Sequence, residues 1–172
     1  MGLMKLDGTA IIPCEFDKFE VHGNLVSTLN NFKQGLMTMD GKTIISCEYD
    51  AIEIENNFVF TLKNNKQGLM NLDGETIIPC EFDKFEIEGG FVFVLKNNKQ
   101  GLMNLDGETI IPCEFDRFHI MENSLVLNVK YNKQGLMDLD GKTIVVCEYD
   151  KIQISGGTAI VTKNGKTEQI RI

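Results

Sequence analysis

The fold is decided by residues 66–83, which read Lys66-Gln-Gly-Leu-Met-Asn-Leu-Asp-Gly-Glu-Thr-Ile-Ile-Pro-Cys-Glu-Phe-Asp83. Copies of this stretch recur along the chain, and their Gly-Leu-Met triplets begin 33, 33, 33 and 34 residues apart, at Gly2, Gly35, Gly68, Gly101 and Gly135. A fixed period of this length is the signature of a repeat protein in which each copy is one supersecondary unit. We therefore divide the single domain of residues 1–172 into five tandem repeats, at 2–34, 35–67, 68–100, 101–134 and 135–172.

Turn residues predict how each repeat folds. Asp73-Gly74 separates two short apolar runs and predicts a two-residue hairpin in which both turn residues have positive φ. Asn64-Asn65 predicts a second hairpin, because Asn tolerates left-handed backbone, and Gly89-Gly90 predicts a third. Each repeat is thus predicted to be a four-stranded antiparallel meander. The remaining segment, 79–83, is predicted to be a five-residue link that crosses to the next meander.

Both faces of the strands are apolar. In 91–95, Phe91, Phe93 and Leu95 share one face, while Val92 and Val94 share the other. Sheets that are apolar on both faces must be covered on both, so the meanders are predicted to stack on one another.

The predicted fold class is therefore all-β, built from five antiparallel β-meander repeats. A β-propeller-like ring of five small blades is the leading architecture, and an open superhelical β-repeat array is the alternative. The segments 2–6 and 168–172 stand at equivalent places and would compete for one position in a closed ring. An open array keeps both, or leaves one as an exposed edge that pairs with a second molecule.

Composition limits the classes of partner that this chain is expected to bind. The chain has 17 basic and 25 acidic residues, for a formal charge of -8, and its Lys and Arg residues are not clustered, so no nucleic-acid partner is expected. No apolar run approaches the roughly 18 residues that cross a bilayer, so no membrane association is expected. The start lacks the apolar stretch of a signal peptide, and together with unpaired cysteines this predicts a cytoplasmic location.

The stretches Lys66 to Asp83 and Lys99 to Asp116 resemble the bacterial WG repeat, also called the KWG repeat. The resemblance covers nearly the whole chain, and the Ile-Pro-X-X-Phe/Tyr-Asp run is its most specific part. The Trp of the family pattern is replaced here by Gln34, Gln67, Gln100 and Gln134, and the chain contains no Trp. The resemblance implies a β-repeat module of bacterial multidomain proteins. It implies no chemistry and no cofactor.

Residues with reactive side chains recur once per repeat. The cysteines, predicted to be free thiols in or near the core, are Cys14, Cys47, Cys80, Cys113 and Cys147. The acidic residues are Glu15, Glu48, Glu81, Glu114 and Glu148 with Asp17, Asp50, Asp83, Asp116 and Asp150. Two readings exist for them: rings of carboxylates that hold a hard cation, or Asp residues that accept backbone N–H bonds at turns while Glu faces solvent. We favour the second, because no calcium-loop pattern is present.

An enzyme is not expected. Identical repeats do not give two carboxylates the different environments that acid and base need, and the only histidines, His22 and His119, lie in different repeats. The methionines are predicted to pack between sheets at Met4, Met37, Met70, Met103 and Met137. Carbohydrate binding is disfavoured, because sugar sites usually use aromatic platforms, whereas the chain has no Trp and its only tyrosines are Tyr49, Tyr131 and Tyr149.

Two functions follow. The first is a protein–protein interaction scaffold that presents variable turn tips on a rigid frame, at Asn24, Asn56, Gly89, Asn123 and Gly156. The alternative is a small-ligand module that binds a glycan or a cation at repeated sites between repeats.

Overall fold

The computed structural model describes residues 2–4, 6–8, 10–121 and 124–172. Within these ranges the regular secondary structure consists of β-strands, with no helix. The all-β prediction is confirmed. Contacts divide the chain into two compact units, Met1–Asp83 and Lys84–Ile172. The single domain of five repeats stays a prediction.

The described residues of the first unit form three sheets. Sheet 1 is formed by β1 (Leu3–Met4) and β2 (Ala10–Ile12). Sheet 2 is formed by β3 (Lys18–His22), β4 (Leu25–Asn30), β5 (Lys33–Thr38) and β6 (Thr43–Tyr49). Sheet 3 is formed by β7 (Ala51–Glu55), β8 (Phe58–Lys63), β9 (Lys66–Asn71) and β10 (Thr76–Phe82).

The second unit also contains three sheets. Sheet 4 is formed by β11 (Lys84–Glu88), β12 (Phe91–Lys96), β13 (Lys99–Asn104) and β14 (Thr109–Phe115). Sheet 5 is formed by β15 (Arg117–Ile120), β16 (Leu125–Lys130), β17 (Lys133–Asp138) and β18 (Thr143–Tyr149). Sheet 6 is formed by β19 (Lys151–Ser155), β20 (Thr158–Lys163) and β21 (Lys166–Arg171).

Strands that follow one another in a sheet pair antiparallel, which confirms the predicted meanders. The two segments expected to compete for one position in a closed ring lie in different sheets. β1 pairs with β2, and β21 pairs with β20. Each segment therefore has a strand partner of its own.

The core of each unit lies between neighbouring sheets. In the first unit, Leu36 and Ile45 of sheet 2 pack with Val59 of sheet 3. In the second unit, Leu102 and Ile111 of sheet 4 pack in the same way with residues of sheet 5. The predicted stacking is confirmed within each unit. Each such side chain, when fully buried, contributes about 1.5–3 kcal/mol to stability.

The Asn turns follow the prediction, whereas the Asp-Gly turns do not. Asn64 and Asn65 have φ values of 53° and 61°, as a two-residue turn of type I′ requires. At the other turn only Gly74 has a positive φ, of 84°, and the Gly74 N–H donates to the Asn71 carbonyl at 3.1 Å. This is a longer loop in which a left-handed Gly follows a turn, so the predicted two-residue hairpin is wrong here.

The fourth strand of a meander runs further than predicted. β10 includes residues 79–82, and Asp83 alone joins it to β11. Along β10 the partner changes from Leu69 opposite Ile78 to Gln67 opposite Phe82, so four positions advance on β10 against two on β9. A bulge absorbs the extra residues. The predicted five-residue link is therefore wrong, because the segment stays in the sheet as a bulged strand.

The bulge explains the glycine of each Gly-Leu-Met triplet. A Cβ atom on Gly68 would lie 2.6 Å from Cys80 Sγ and 2.8 Å from the Ile78 carbonyl oxygen. The fourth strand thus crosses so closely that no side chain fits beneath it. The same contact recurs twelve residues apart in every repeat, as Gly2 with Cys14, Gly35 with Cys47, Gly101 with Cys113 and Gly135 with Cys147.

Candidate interaction surface

Asp50, the aspartate that precedes sheet 3, fastens two neighbouring sheets. Asp50 Oδ2 accepts the Asn64 backbone N–H at 2.7 Å, and Asp50 Oδ1 accepts a bond from Lys33 Nζ. Since Lys33 lies on β5 of sheet 2 and Asn64 follows β8 of sheet 3, Asp50 joins both sheets. The neighbouring ammonium lowers the pKa of the Asp50 carboxyl below its ordinary value.

The same arrangement recurs in the second unit. Asp116 accepts from Lys99 and from the Tyr131 N–H, and its pKa is lowered by Lys99 first. Asp150 accepts from Lys133 and from the Asn164 N–H, and its pKa is lowered by Lys133 first. The predicted role as backbone N–H acceptors is confirmed for Asp17, Asp50, Asp116 and Asp150. The donors lie in the turn between the second and third strands of the next sheet, rather than at the start of its first strand.

The tetrad glutamates are also paired. Glu48, Glu114 and Glu148 accept bonds from Lys63, Lys130 and Lys163 at 2.6, 2.7 and 2.7 Å. These ion pairs are about half exposed, so solvent screens them and each contributes little to stability. Within the ranges that the structure describes, no group of three or more His, Cys, Asp or Glu side chains is placed to hold a metal ion.

Glutamines that precede the Gly-Leu-Met triplets make a second contact between sheets. Gln34 Oε1 accepts the Ile52 N–H of the next sheet at 2.8 Å. Gln134 Oε1 accepts the Ile152 N–H at 2.6 Å, and Gln100 accepts from Phe118 at 3.0 Å. The side-chain amide thus bonds an N–H of the next sheet's first strand.

Two turns between the second and third strands carry exposed aromatic rings. Phe32 is 92% exposed with φ of 63°, and Tyr131 is 78% exposed with φ of 52°. Corresponding turns are Asn64-Asn65, Asn97-Asn98 and Asn164-Gly165. Sequence reasoning missed both residues. The signal that reveals them is an aromatic residue at a turn where the other repeats have Asn or Gly.

The predicted tips occupy the turns between the first and second strands. Asn24, Asn56, Gly89 and Gly156 are exposed there, and Asn123 lies outside the described residues. The four of these turns that the structure fully describes contain only Gly and Asn, so they present little surface to a partner.

The chain matches the WG containing repeat four times, over residues 35–66, 68–99, 101–133 and 135–166. These matches cover more than half of the chain. The chain belongs to the WG-containing repeat family.

Solved structures similar to this WG-repeat chain have low TM-scores. They include Hsv2 of Kluyveromyces lactis, 9% identical over 89% of this chain and 59% of that one, with a TM-score of 0.34. A eukaryotic initiation factor is 9% identical over 93% of this chain and 54% of that one, with a TM-score of 0.38. The WD40 β-propeller domain of Doa1 is 11% identical over 91% of this chain and 66% of that one, with a TM-score of 0.32. The WG-repeat chain spans between 54% and 66% of the length of these three. No curated protein matches the sequence.

The WG-repeat cysteines lie against their glycines rather than beside one another. Cys47 is half-buried and 3.3 Å from the Thr28 hydroxyl, and Cys80 lies 3.2 Å from that of Thr61. Cys14 is exposed. Burial raises the pKa of the Cys147 thiol.

Asn128 stands where sheets 2 and 3 of these WG repeats have Thr28 and Thr61. It is 2% exposed, and its Oδ1 has no hydrogen-bond partner. This oxygen lies close to Gly135, on which a Cβ would be 2.7 Å from it. A buried acceptor without a partner costs about 1–3 kcal/mol.

The methionine prediction is confirmed at four positions and wrong at one. Met37, Met70, Met103 and Met137 are buried, whereas Met4 is 63% exposed. Its strand is only two residues long, in a two-stranded sheet that gives it less cover.

His22 lies beside Glu20 on β3, and His119 lies on β15 of the other unit, so the histidines sit in different sheets. No helix in the described parts of the chain is long and apolar enough to cross a bilayer.

Grooves open between neighbouring sheets at equivalent places. One, of about 310 Å³, is lined by Phe93 and Gln100 of sheet 4 and by Phe118 of sheet 5. Its counterpart of about 280 Å³ is lined by Ser27 and Gln34 of sheet 2 with Ile52 of sheet 3. In the first groove, the rings of Phe93 and Phe118 stack with centroids 5.9 Å apart.

Proposed function

We propose that this protein is a non-enzymatic WG-repeat scaffold that binds other proteins, and that Phe32 and Tyr131 anchor the partner. The observation that carries the proposal is the pair of strained, exposed aromatic turns. Aromatic side chains on rigid frames are common anchors of protein interfaces.

The strain argues that these rings are not present for stability. A residue other than Gly, Asn or Asp in the left-handed region costs about 1–2 kcal/mol. Phe32 is 92% exposed, so burial returns almost nothing for this cost. Strained residues that persist without a folding benefit are characteristic of functional sites.

The surroundings of Tyr131 define the partner. The Nζ atoms of Lys99 and Lys130 lie 5.5 and 5.9 Å from the ring centroid. Both ammonium groups are bound by carboxylates, Asp116 for Lys99 and Glu114 for Lys130. Local charge is thus balanced, which favours an apolar pocket on the partner over an acidic one. Binding of this kind depends weakly on salt.

The test is a quantitative co-precipitation with the double variant Phe32→Asn/Tyr131→Asn. Asn occupies this turn in other repeats, so the variant should fold and be at least as stable as the wild type. Asn24→Ala is the matched control, because Asn24 lies in a turn between first and second strands and has no positive φ.

We expect the double variant to lose a partner that Asn24→Ala retains, in both low and high salt. Retention of every specific partner by the double variant would contradict the assignment of the anchors. Loss of the partner in Asn24→Ala alone would move the binding surface to the predicted tips.

A small-ligand module is the second candidate, favoured by the equivalent grooves. Stacked Phe93 and Phe118 beside the Gln100 amide give the groove of sheets 4 and 5 an aromatic wall and a polar group, a combination that suits a glycan. Calorimetric titration with oligosaccharides tests it. Saturable binding that Phe118→Ala removes would support this candidate, and its absence across a broad oligosaccharide set would exclude it.

A further inference from the structure

Sheet 6 differs from sheets 2–5 at the strand that would receive a fourth partner. In β17 the third strand reads Lys133-Gln-Gly-Leu-Met-Asp138, whereas β21 reads Lys166-Thr-Glu-Gln-Ile-Arg171. Glu168 therefore takes the place of Gly135, and Gln169 takes the place of Leu136.

We propose that β21 is a capping strand, which closes the edge of sheet 6 to strand addition by a second copy of this chain. The proposal concerns assembly and is independent of the partner-binding turns. Its basis is the contact between glycine and cysteine that every bulged fourth strand makes.

Sterics give the first reason. At Gly135 a single added Cβ would lie 2.7 Å from Cys147 Sγ and 2.8 Å from the Val145 carbonyl oxygen. Glu168 has a Cβ and four further heavy atoms at the equivalent place. A bulged fourth strand of the kind seen in sheets 2–5 cannot lie over it without a large shift.

The fixed position of Glu168 gives the second reason. Its Oε1 accepts a bond from the Tyr149 hydroxyl of sheet 5 at 3.2 Å. The side chain is thereby held against the neighbouring sheet, although it is exposed to solvent.

Lost apolar surface gives the third reason. Leu136 is fully buried and pairs with Val145 of the fourth strand in sheet 5. Gln169 at the same place is exposed. In sheets 2–5 this leucine is the cross-strand neighbour of an apolar residue on the fourth strand, so a strand that added to β21 would lose that apolar contact. Charged and polar residues on an edge strand are a known defence against edge-to-edge association.

The decisive experiment converts the cap into a normal third strand with Glu168→Gly/Gln169→Leu. The probe is a labelled peptide of residues 139–150, Leu-Asp-Gly-Lys-Thr-Ile-Val-Val-Cys-Glu-Tyr-Asp, which contains the fourth strand of sheet 5. Binding is followed by fluorescence anisotropy, and the mass of the chain alone by light scattering after size exclusion. Glu168→Gln is the matched control, since it removes the charge and keeps the bulk.

We expect the wild type and Glu168→Gln to stay monomeric and to bind the peptide weakly. The double variant should bind it at least about tenfold more tightly, or self-associate. Equal binding by the wild type and the folded double variant would overturn the proposal.

A reciprocal variant keeps the proposal testable if the double variant fails to fold. Gly135→Glu places the capping side chain under β18 in sheet 5. Hydrogen exchange should then show that the amides of Thr143–Tyr149 lose protection while β16 keeps its own. Full protection of β18 in this variant would equally overturn the proposal.

Discussion

Replacing Gly101 with Ala measures the close crossing of the fourth strand directly. An added Cβ would lie 2.7 Å from Cys113 Sγ and 2.8 Å from the Ile111 carbonyl oxygen, whereas ordinary contacts begin near 3.4 Å. β14 must therefore move by more than half an ångström or leave its register. Overpacking of this kind costs about 1–3 kcal/mol, and the smaller freedom of Ala in the unfolded chain returns roughly 0.4–1 kcal/mol.

We therefore expect Gly101→Ala to lower the free energy of unfolding by about 1–2 kcal/mol, measured by urea denaturation followed by circular dichroism. Gly89→Ala is the comparison. No atom lies within 4 Å of its added Cβ, and only its positive φ of 58° opposes the change, at about 1 kcal/mol.

Adding Cys113→Ala to Gly101→Ala should restore only part of the loss. The Sγ contact disappears, but the Ile111 carbonyl remains at 2.8 Å. A Gly101→Ala protein as stable as the wild type, with an unchanged urea slope, would refute the explanation of the conserved spacing between glycine and cysteine in these repeats.

Three further substitutions test other contacts. Asn128→Thr should raise the free energy of unfolding by about 1–2 kcal/mol in urea titrations, because it removes an acceptor without a partner and supplies a hydroxyl near the thiol of the fourth strand. Gln134→Ala should lower it by about 1–2 kcal/mol, since the buried Ile152 N–H loses its acceptor, and hydrogen exchange at Ile152 should quicken. Asp150 has a pKa held by Lys133 below its ordinary value of 3.8, so the unfolded state takes up the proton first as the pH falls. The stability that the Asp150 carboxylate contributes is therefore fully present above its pKa in the unfolded chain, and it is lost as the pH falls through its pKa in the folded protein. In thermal melts, Asp150→Asn should be less stable than the wild type near neutrality, and it should lose less stability between about pH 5 and pH 2.

The repeat period and the turn residues predicted much of the fold. Asn64-Asn65 forms the predicted two-residue turn because both residues tolerate positive φ, and the antiparallel pairing of successive strands confirms the meanders. The division into five repeats stays a prediction. The link failed for a physical reason. The segment 79–83 was predicted to leave the sheet, but four positions on β10 pass two on β9, so a bulge keeps residues 79–82 in the strand.

The candidate surface was harder to predict because its residues act across sheets. Nothing in the sequence around Gln34 indicates that its amide bonds Ile52 of the next sheet. Phe32 and Tyr131 were visible as departures from Asn, but their strain and exposure required backbone angles.

The polar contacts between sheets have a consequence for how such a chain changes length. Lys33 reaches Asp50 and Gln34 reaches Ile52, so each contact spans 17 or 18 residues. Any duplicated stretch of 33 residues contains both partners of these contacts, so a new copy can form the same polar contacts with the neighbouring sheets. Residues 63–85 and 96–118 differ only at Lys84 and Arg117, which is the pattern expected after duplication of such a stretch. Copy number can therefore vary between relatives by whole repeats, while an insertion of a few residues between a glycine and its cysteine would break the crossing that every copy needs.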